Sequence, residues 1–185
     1  MEEKMWALLG VVGPLTAHVS IATSILSAPW FRWSSNALSD LGHAARSEVA
    51  PIYNFGLALA GCLVAVYAVT VFRRHAKYTS IVVAVSAFLL QLVAVFDEVY
   101  GSLHQAVSVL FFVSLTIASV AYAVERKSLS ASVAFATSLG FWAMYGAKVY
   151  SAGIAVPEII SVAGVSSWIL LSAFRIYRAA STEKK

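Results

Sequence analysis

The sequence predicts an all-α polytopic membrane protein, a bundle of six transmembrane helices with a long, partly helical first outer loop. Three observations carry that prediction. The first is composition: of 185 residues, 60% are hydrophobic and 12% charged, with a mean hydropathy of +0.80. A soluble domain carries about 25% charged residues. Half that share leaves too little polar surface to cover a globule in water, and it sets aside a nucleic-acid-binding role. The second is six apolar stretches, at about 6–28, 52–72, 79–96, 103–124, 129–151 and 157–177. Each is close to the roughly 20 residues a helix needs to cross about 30 Å of hydrocarbon. The third is that all but three of the charged side chains, Lys148, Glu158 and Arg175, fall between or beyond these stretches. The chain, 1–185, reads as one transmembrane domain.

The breaks justify each element in turn. Pro29 closes the first span, and Pro14 inside it should kink the helix or sit in its first turns. Pro51 stands at the first turn of the second span, where a missing N–H costs nothing. Arg73, Arg74, His75 and Lys77 end that span, Asp97, Glu98 and Gly101 separate the third from the fourth, and Glu125, Arg126 and Lys127 end the fourth. Gly153 and Pro157 separate the last two. All six must be helices, because backbone polar groups in lipid have to be satisfied within their own segment. The lone Cys62 excludes an internal disulfide and reads as a small buried hydrophobe. The first span is too long for the apolar core of a cleavable signal peptide.

Six crossings put both termini and the second and fourth loops on one side. That side holds Lys4, Arg73, Arg74, Lys77, Arg126, Lys127, Arg175, Arg178, Lys184 and Lys185, ten of the thirteen basic residues. Arg32, Arg46 and Lys148 fall on the other. The positive-inside rule then predicts a multi-pass protein of the cell membrane with cytoplasmic termini. Its partners are membrane lipids, with no nucleic acid among them.

The candidate site lies on the outer side and centres on residues 33–61, the longest polar interruption in the chain. Asn36, Asp40 and His43 are four and three residues apart, one face of a helical turn. A short loop brings Asp97 and Glu98 near His104 at the start of the fourth span. Gln91, seven residues before Glu98, extends a polar line into the third. Lys148 sits near the outer end of the fifth span against the positive-inside bias, and Glu158 opens the sixth. Asp40, His43, His104 and Lys148 are the candidate catalytic residues. The carboxylate and histidines would act as acid/base groups, and the lysine would stabilise negative charge. Asn36, Ser39, Gln91, Asp97, Glu98 and Glu158 are candidate substrate-binding residues. Capping explains Asp97, Glu98 and Glu158 equally well, and Lys148 could snorkel to the interface. His43, His104, Asp40 and Asp97 have the ligand types of a divalent zinc or iron site but no metal spacing motif. Haem is unsupported. His18, mid-span, reads as a hydrogen-bonded packing residue or a pocket wall.

The segments SNALSDLGHA, PIYNFGLALAG, SLHQAVSVLFF and VPEIISVAGVSSW together resemble a family of small multi-span prokaryotic membrane proteins, mostly archaeal, catalogued as a domain of unknown function. The resemblance covers nearly the whole chain. More distantly the chain is similar to DRAM/FRAG-type membrane proteins, which share an acidic loop followed by a proline and a glycine-bearing second helix. Some of these are linked to lipid remodelling. The resemblance implies six helices and an outward polar site on Asn36, Ser39, Asp40, Gly42 and His104. The function expected is to bind or process a lipid or lipid-like molecule, by hydrolysis or transfer at the headgroup if it is an enzyme. The alternative is a non-catalytic structural or partner-binding membrane protein, and a small transporter or channel comes third.

Overall fold

A computed structural model describes residues 2–182. Lys184 and Lys185, counted above among the basic residues beside the termini, lie outside them. Six long helices account for most of the described chain: α1 (Glu2–Ser27), α2 (Ala50–His75), α3 (Lys77–Val95), α4 (Ser102–Arg126), α5 (Leu129–Gly146) and α6 (Ala155–Thr182). Five of them are long and apolar enough to cross a membrane by length and composition. The chain is therefore a multi-pass integral membrane protein. The sixth, α5, has 18 residues. It carries no charge, and Ser130, Ser132, Thr137 and Ser138 dilute its apolar content. It nonetheless runs from the end of the bundle where α4 stops to the end where α6 starts.

Local chemistry sets the ends. Pro51 occupies the first turn of α2. Gly101, at φ +55°, supplies the turn between α3 and α4 in a conformation that costs glycine little. Between α4 and α5, Lys127 adopts a left-handed conformation and the Ser128 hydroxyl accepts from the Ala131 N–H. The cap of α3 comes from another helix. Glu125, at the end of α4, accepts hydrogen bonds from the N–H groups of Tyr78 and Thr79 and from the Thr79 hydroxyl. Read as a helix break in the sequence, Glu125 is a clamp between two helices.

The helices form a ring. Each packs on its neighbours in sequence, and α6 closes the ring against α1. Small residues allow the tightest seams: a Cβ at Gly56 of α2 would lie 2.0 Å from the Ser20 hydroxyl of α1. The loosest seam between sequence neighbours lies between α4 and α5. One end of the ring is closed by aromatic rings. Tyr122 stacks on Trp168 at 4.6 Å and Tyr67 on Phe72 at 5.2 Å. Their polar atoms are paired: the Tyr67 hydroxyl with Ser172 at 2.8 Å, and the Trp168 N–H donating to Ser119 at 3.3 Å. A π-turn over Ala68–Phe72 in α2 presents Phe72 to this cluster. On the same end, Arg74 pairs with Glu3.

Three expectations need correction. Cys62 is exposed on the outside of the ring, facing away from the core. The fifth helix ends at Gly146 rather than near 151. The Val149 N–H bonds back to the Met144 carbonyl, and Lys148, at φ 54°, takes the left-handed position of that terminating turn. Lys148 therefore lies beyond the helix, not within a span. His18, by contrast, is the hydrogen-bonded residue of α1 that the sequence suggested, its Nδ1 bonded to the Pro14 carbonyl at 2.8 Å.

Candidate functional site

The loop 28–49 folds back over the end of the ring opposite the aromatic cluster. It contains a short 3-10 turn, Ser39–Gly42, and two buried leucines, Leu38 and Leu41, that anchor it. Asn36 and Asp40 build the loop from within. The Asn36 amide oxygen accepts from the Arg32 N–H at 2.9 Å, and its amide nitrogen donates to Asp40 Oδ2 at 2.7 Å. The same Asp40 oxygen accepts from the Ala37 N–H at 2.9 Å. Three contacts then dock the loop on distant helices. The Ser39 hydroxyl donates to Glu98 Oε1 at 2.6 Å, the Leu38 N–H to Glu158 Oε2 at 2.8 Å, and the Ala155 N–H to the Asn36 carbonyl at 3.1 Å. Gly153 permits the last approach, since a Cβ there would lie 2.6 Å from the Asn36 carbonyl oxygen.

Under this loop a cleft of about 820 Å³ opens along the loose seam between α4 and α5. Its loop end is polar, bounded by Ser39, His43, Arg46, Glu98, His104 and Glu158. Farther along α4 the wall becomes Val109, Phe112 and Val113, facing Leu139 and Trp142 of α5. The α4 stretch from Gly101 to Thr116 rises about 22 Å, so the polarity gradient runs along the helix from the loop toward the middle of the bundle. Trp142 is held in place because its indole N–H donates to Ser161 at 3.0 Å, and Ser161 donates to the Pro157 carbonyl at 2.7 Å.

Two polar arrangements face this cleft. The first is a group of carboxylates. Glu98 lies beside Asp40, and burial together with that neighbouring carboxylate holds the Glu98 acid above the usual carboxylate range, against the opposing Ser39 hydrogen bond. Glu158 is 7% exposed, with one oxygen taken by Leu38. Among the described residues no lysine or arginine pairs with any of the three acids. The second is His104, 8% exposed. Its Nδ1 lies 2.7 Å from the Phe96 carbonyl and its Nε2 3.2 Å from the Ser108 hydroxyl. A carbonyl can only accept, so Nδ1 carries a proton, and in the neutral imidazole Nε2 accepts from Ser108. The imidazole is thus oriented as a base toward a hydroxyl on the cleft wall.

Of the expected residues, Ser39, His43, Glu98, His104 and Glu158 meet at the cleft, and Asn36 and Asp40 stand behind it as the loop's frame. The others do not. Gln91 packs against Gly61 of α2 and bonds to the Ala87 carbonyl of its own helix. Asp97 caps the 3-10 turn that follows it, accepting from the Val99 N–H at 2.8 Å. Lys148 is exposed and forms no ion pair among the described residues, because the helix ends before it. Asp40 bonds to neither His104 nor Lys148; Ser39 and the Leu38 backbone make the distant contacts instead. Among the described residues no three His, Cys, Asp or Glu side chains gather in a way that could hold a metal ion. His43 turns to the Ala45 N–H, at 3.3 Å, and stays apart from His104 as a ligand. Arg46, Gln105, Ser108 and Trp142 were missed. The only sequence signal among them was Ser108, one helical turn after His104.

The fold and the cleft define a helical integral membrane protein with a polar site at one end of its bundle. Over residues 11–175 the chain matches the family described as protein of unknown function (DUF998), and it belongs to that family. No curated protein and no solved structure matches it.

Proposed function

We propose that the protein binds a lipid or lipid-like amphiphile in the α4/α5 cleft, head under the folded-back loop and chain along Val109, Phe112 and Val113. The observation that carries this is the single polarity gradient in one continuous cleft. A soluble solute would leave the apolar length unfilled, and a plain hydrocarbon would leave the polar end unpaired. Val109 and Val113 are exposed, 57% and 49%, so the cleft opens sideways and a chain can enter from the bilayer. In this reading α5 is a sixth crossing, both termini are cytoplasmic by the positive-inside rule, and the cleft faces the outer leaflet. Native mass spectrometry of protein extracted from its membrane tests it. The wild-type chain is expected to retain an amphiphile that Val109→Trp, which fills the channel, loses. Equal retention by both sinks the proposal.

The His104–Ser108 pair favours a second reading, transfer chemistry at the bound headgroup with Ser108 as nucleophile and His104 as its base. A serine-reactive fluorophosphonate should then label the wild-type chain and fail to label Ser108→Ala. Equal labelling, or none, leaves binding without chemistry.

A further inference from the structure

Resting on the amphiphile reading, we infer that the head group this cleft accepts is a protonated amine. Two independent features point there. The first is the sign and depth of the charges. Glu158 and Glu98 line the polar end, with Asp40 directly behind Glu98. Arg46, the sole lysine or arginine lining the cleft among the described residues, is exposed on the loop. A phosphate moved under the loop would meet two carboxylates in a poorly solvated site, where like charges repel strongly. An ammonium would meet them with the opposite sign.

The second feature is the state of Glu158. More than nine-tenths of this residue is buried, yet only one of its carboxylate oxygens has a hydrogen-bond partner among the described residues, the Leu38 N–H. The other is left for whatever occupies the cleft. A buried acid lacking a cation is costly, and a carboxylate is acceptor-only, so its complement is a donor bearing positive charge. The neighbours have the same preference. His104 offers the lone pair of Nε2 to the Ser108 hydroxyl, and that hydroxyl retains acceptor capacity of its own. An ammonium, with three donors and no acceptor, can satisfy Glu158, Glu98 and a hydroxyl together. A neutral alcohol head can satisfy only one with its single O–H.

The test uses Trp142 as a reporter on the apolar wall. Three amphiphiles share one ω-bromoundecyl chain and differ in head: amine, alcohol and phosphate. Bromine quenches a nearby indole. The full chain is reconstituted in phosphatidylcholine nanodiscs, and quenching in Trp142→Phe is subtracted to remove the other tryptophans and bulk partitioning. The amine is expected to act at roughly tenfold lower concentration than the phosphate, with the alcohol between them, in line with a charge-assisted hydrogen bond. Glu158→Gln should bring the amine to the level of the alcohol. Phosphate acting as well as amine overturns the amine assignment and leaves the amphiphile reading standing. The absence of Trp142-specific quenching by all three overturns both. Displacement of the amine probe by butylamine at the probe's own concentration marks a site for a soluble amine and also overturns the inference. The order of heads in the wild-type protein decides the matter even if Glu158→Gln does not fold.

Discussion

At the closed end of the ring, Tyr67, Phe72, Tyr122 and Trp168 are each at most 1% exposed and stack in pairs, and the Tyr67 hydroxyl and the Trp168 N–H bond to serines across the ring. At the cleft end, two neighbouring helices stand apart, acids face one another without a paired lysine or arginine, and Ser24 of α1 is the one fully buried side-chain polar atom without a partner among the described residues. Satisfied packing of this kind gives one end a single rigid arrangement. The other end keeps unmet polar capacity, the state expected of a site whose partner comes from outside the chain. The same six helices thus carry satisfied packing at one end and unmet polar groups at the other.

The largest effect that tests this contrast is at the closed end. Trp168→Ala should cost about 3–5 kcal/mol through the cavity it leaves, seen as a large drop in the thermal midpoint of the detergent-solubilised protein. Trp142→Ala should lower it far less. Equal losses would dissolve the distinction. Next, Gly153→Val should push the loop from Asn36 at a cost of about 1–3 kcal/mol. Hydrogen exchange is expected to rise in residues 33–42 while the amides around Tyr122 stay protected. Removing the helix clamp, Glu125→Ala, should cost about 1 kcal/mol, as loss of a helix cap does. Here exchange is expected to rise at the start of α3.

The pH response sharpens the contrast further. Glu98 has a folded-state pKa raised above the ordinary glutamate value of 4.5. Between that value and the raised one the folded state binds more protons than the unfolded state, so stability falls as pH rises through this window and levels off above it. Glu98→Gln should reduce that slope by the share Glu98 contributes while keeping the Ser39 contact, because the amide oxygen still accepts. Melting curves at several pH values check this; an unchanged slope would place its origin elsewhere. The smallest effect is expected from Lys148→Met, within about 0.5 kcal/mol of wild type as for other surface sites. A large loss would mean that Lys148 pairs with one of the acids after all.

These contrasts also explain what the sequence made legible. Helix breaks were readable at Pro51, Gly101 and Lys127 because each rests on local backbone chemistry. The meeting of Ser39, Glu98, His104 and Glu158 was readable because each stands at or beside a break between apolar stretches on the same side of the bundle. One failure was local: α5 closes at Gly146, five residues earlier than hydropathy suggested, in a turn through left-handed Lys148 that carries this residue out of the span. Other failures depended on partners distant in sequence, as Gln91 faces Gly61 of another helix. The apolar half of the cleft was hidden for the same reason. Val109, Phe112 and Trp142 look like any lipid-facing residues until α4 and α5 are seen to part. The family membership was visible in the loop motif, whose residues build the frame of the site.

The cleft should be wet at one end, greasy along its length and absent from the closed end. Single cysteines at Gln105, Val109, Val113 and Ala118 of α4, in a Cys62→Ser background, report this directly. In nanodiscs a membrane-impermeant maleimide should label Gln105→Cys strongly, Val109→Cys weakly and Val113→Cys barely, with a lipid-soluble maleimide giving the reverse order, and neither should reach Ala118→Cys. Uniform labelling by the lipid-soluble reagent from Gln105 to Val113, with none by the aqueous one, would mean there is no polar end and would contradict the account.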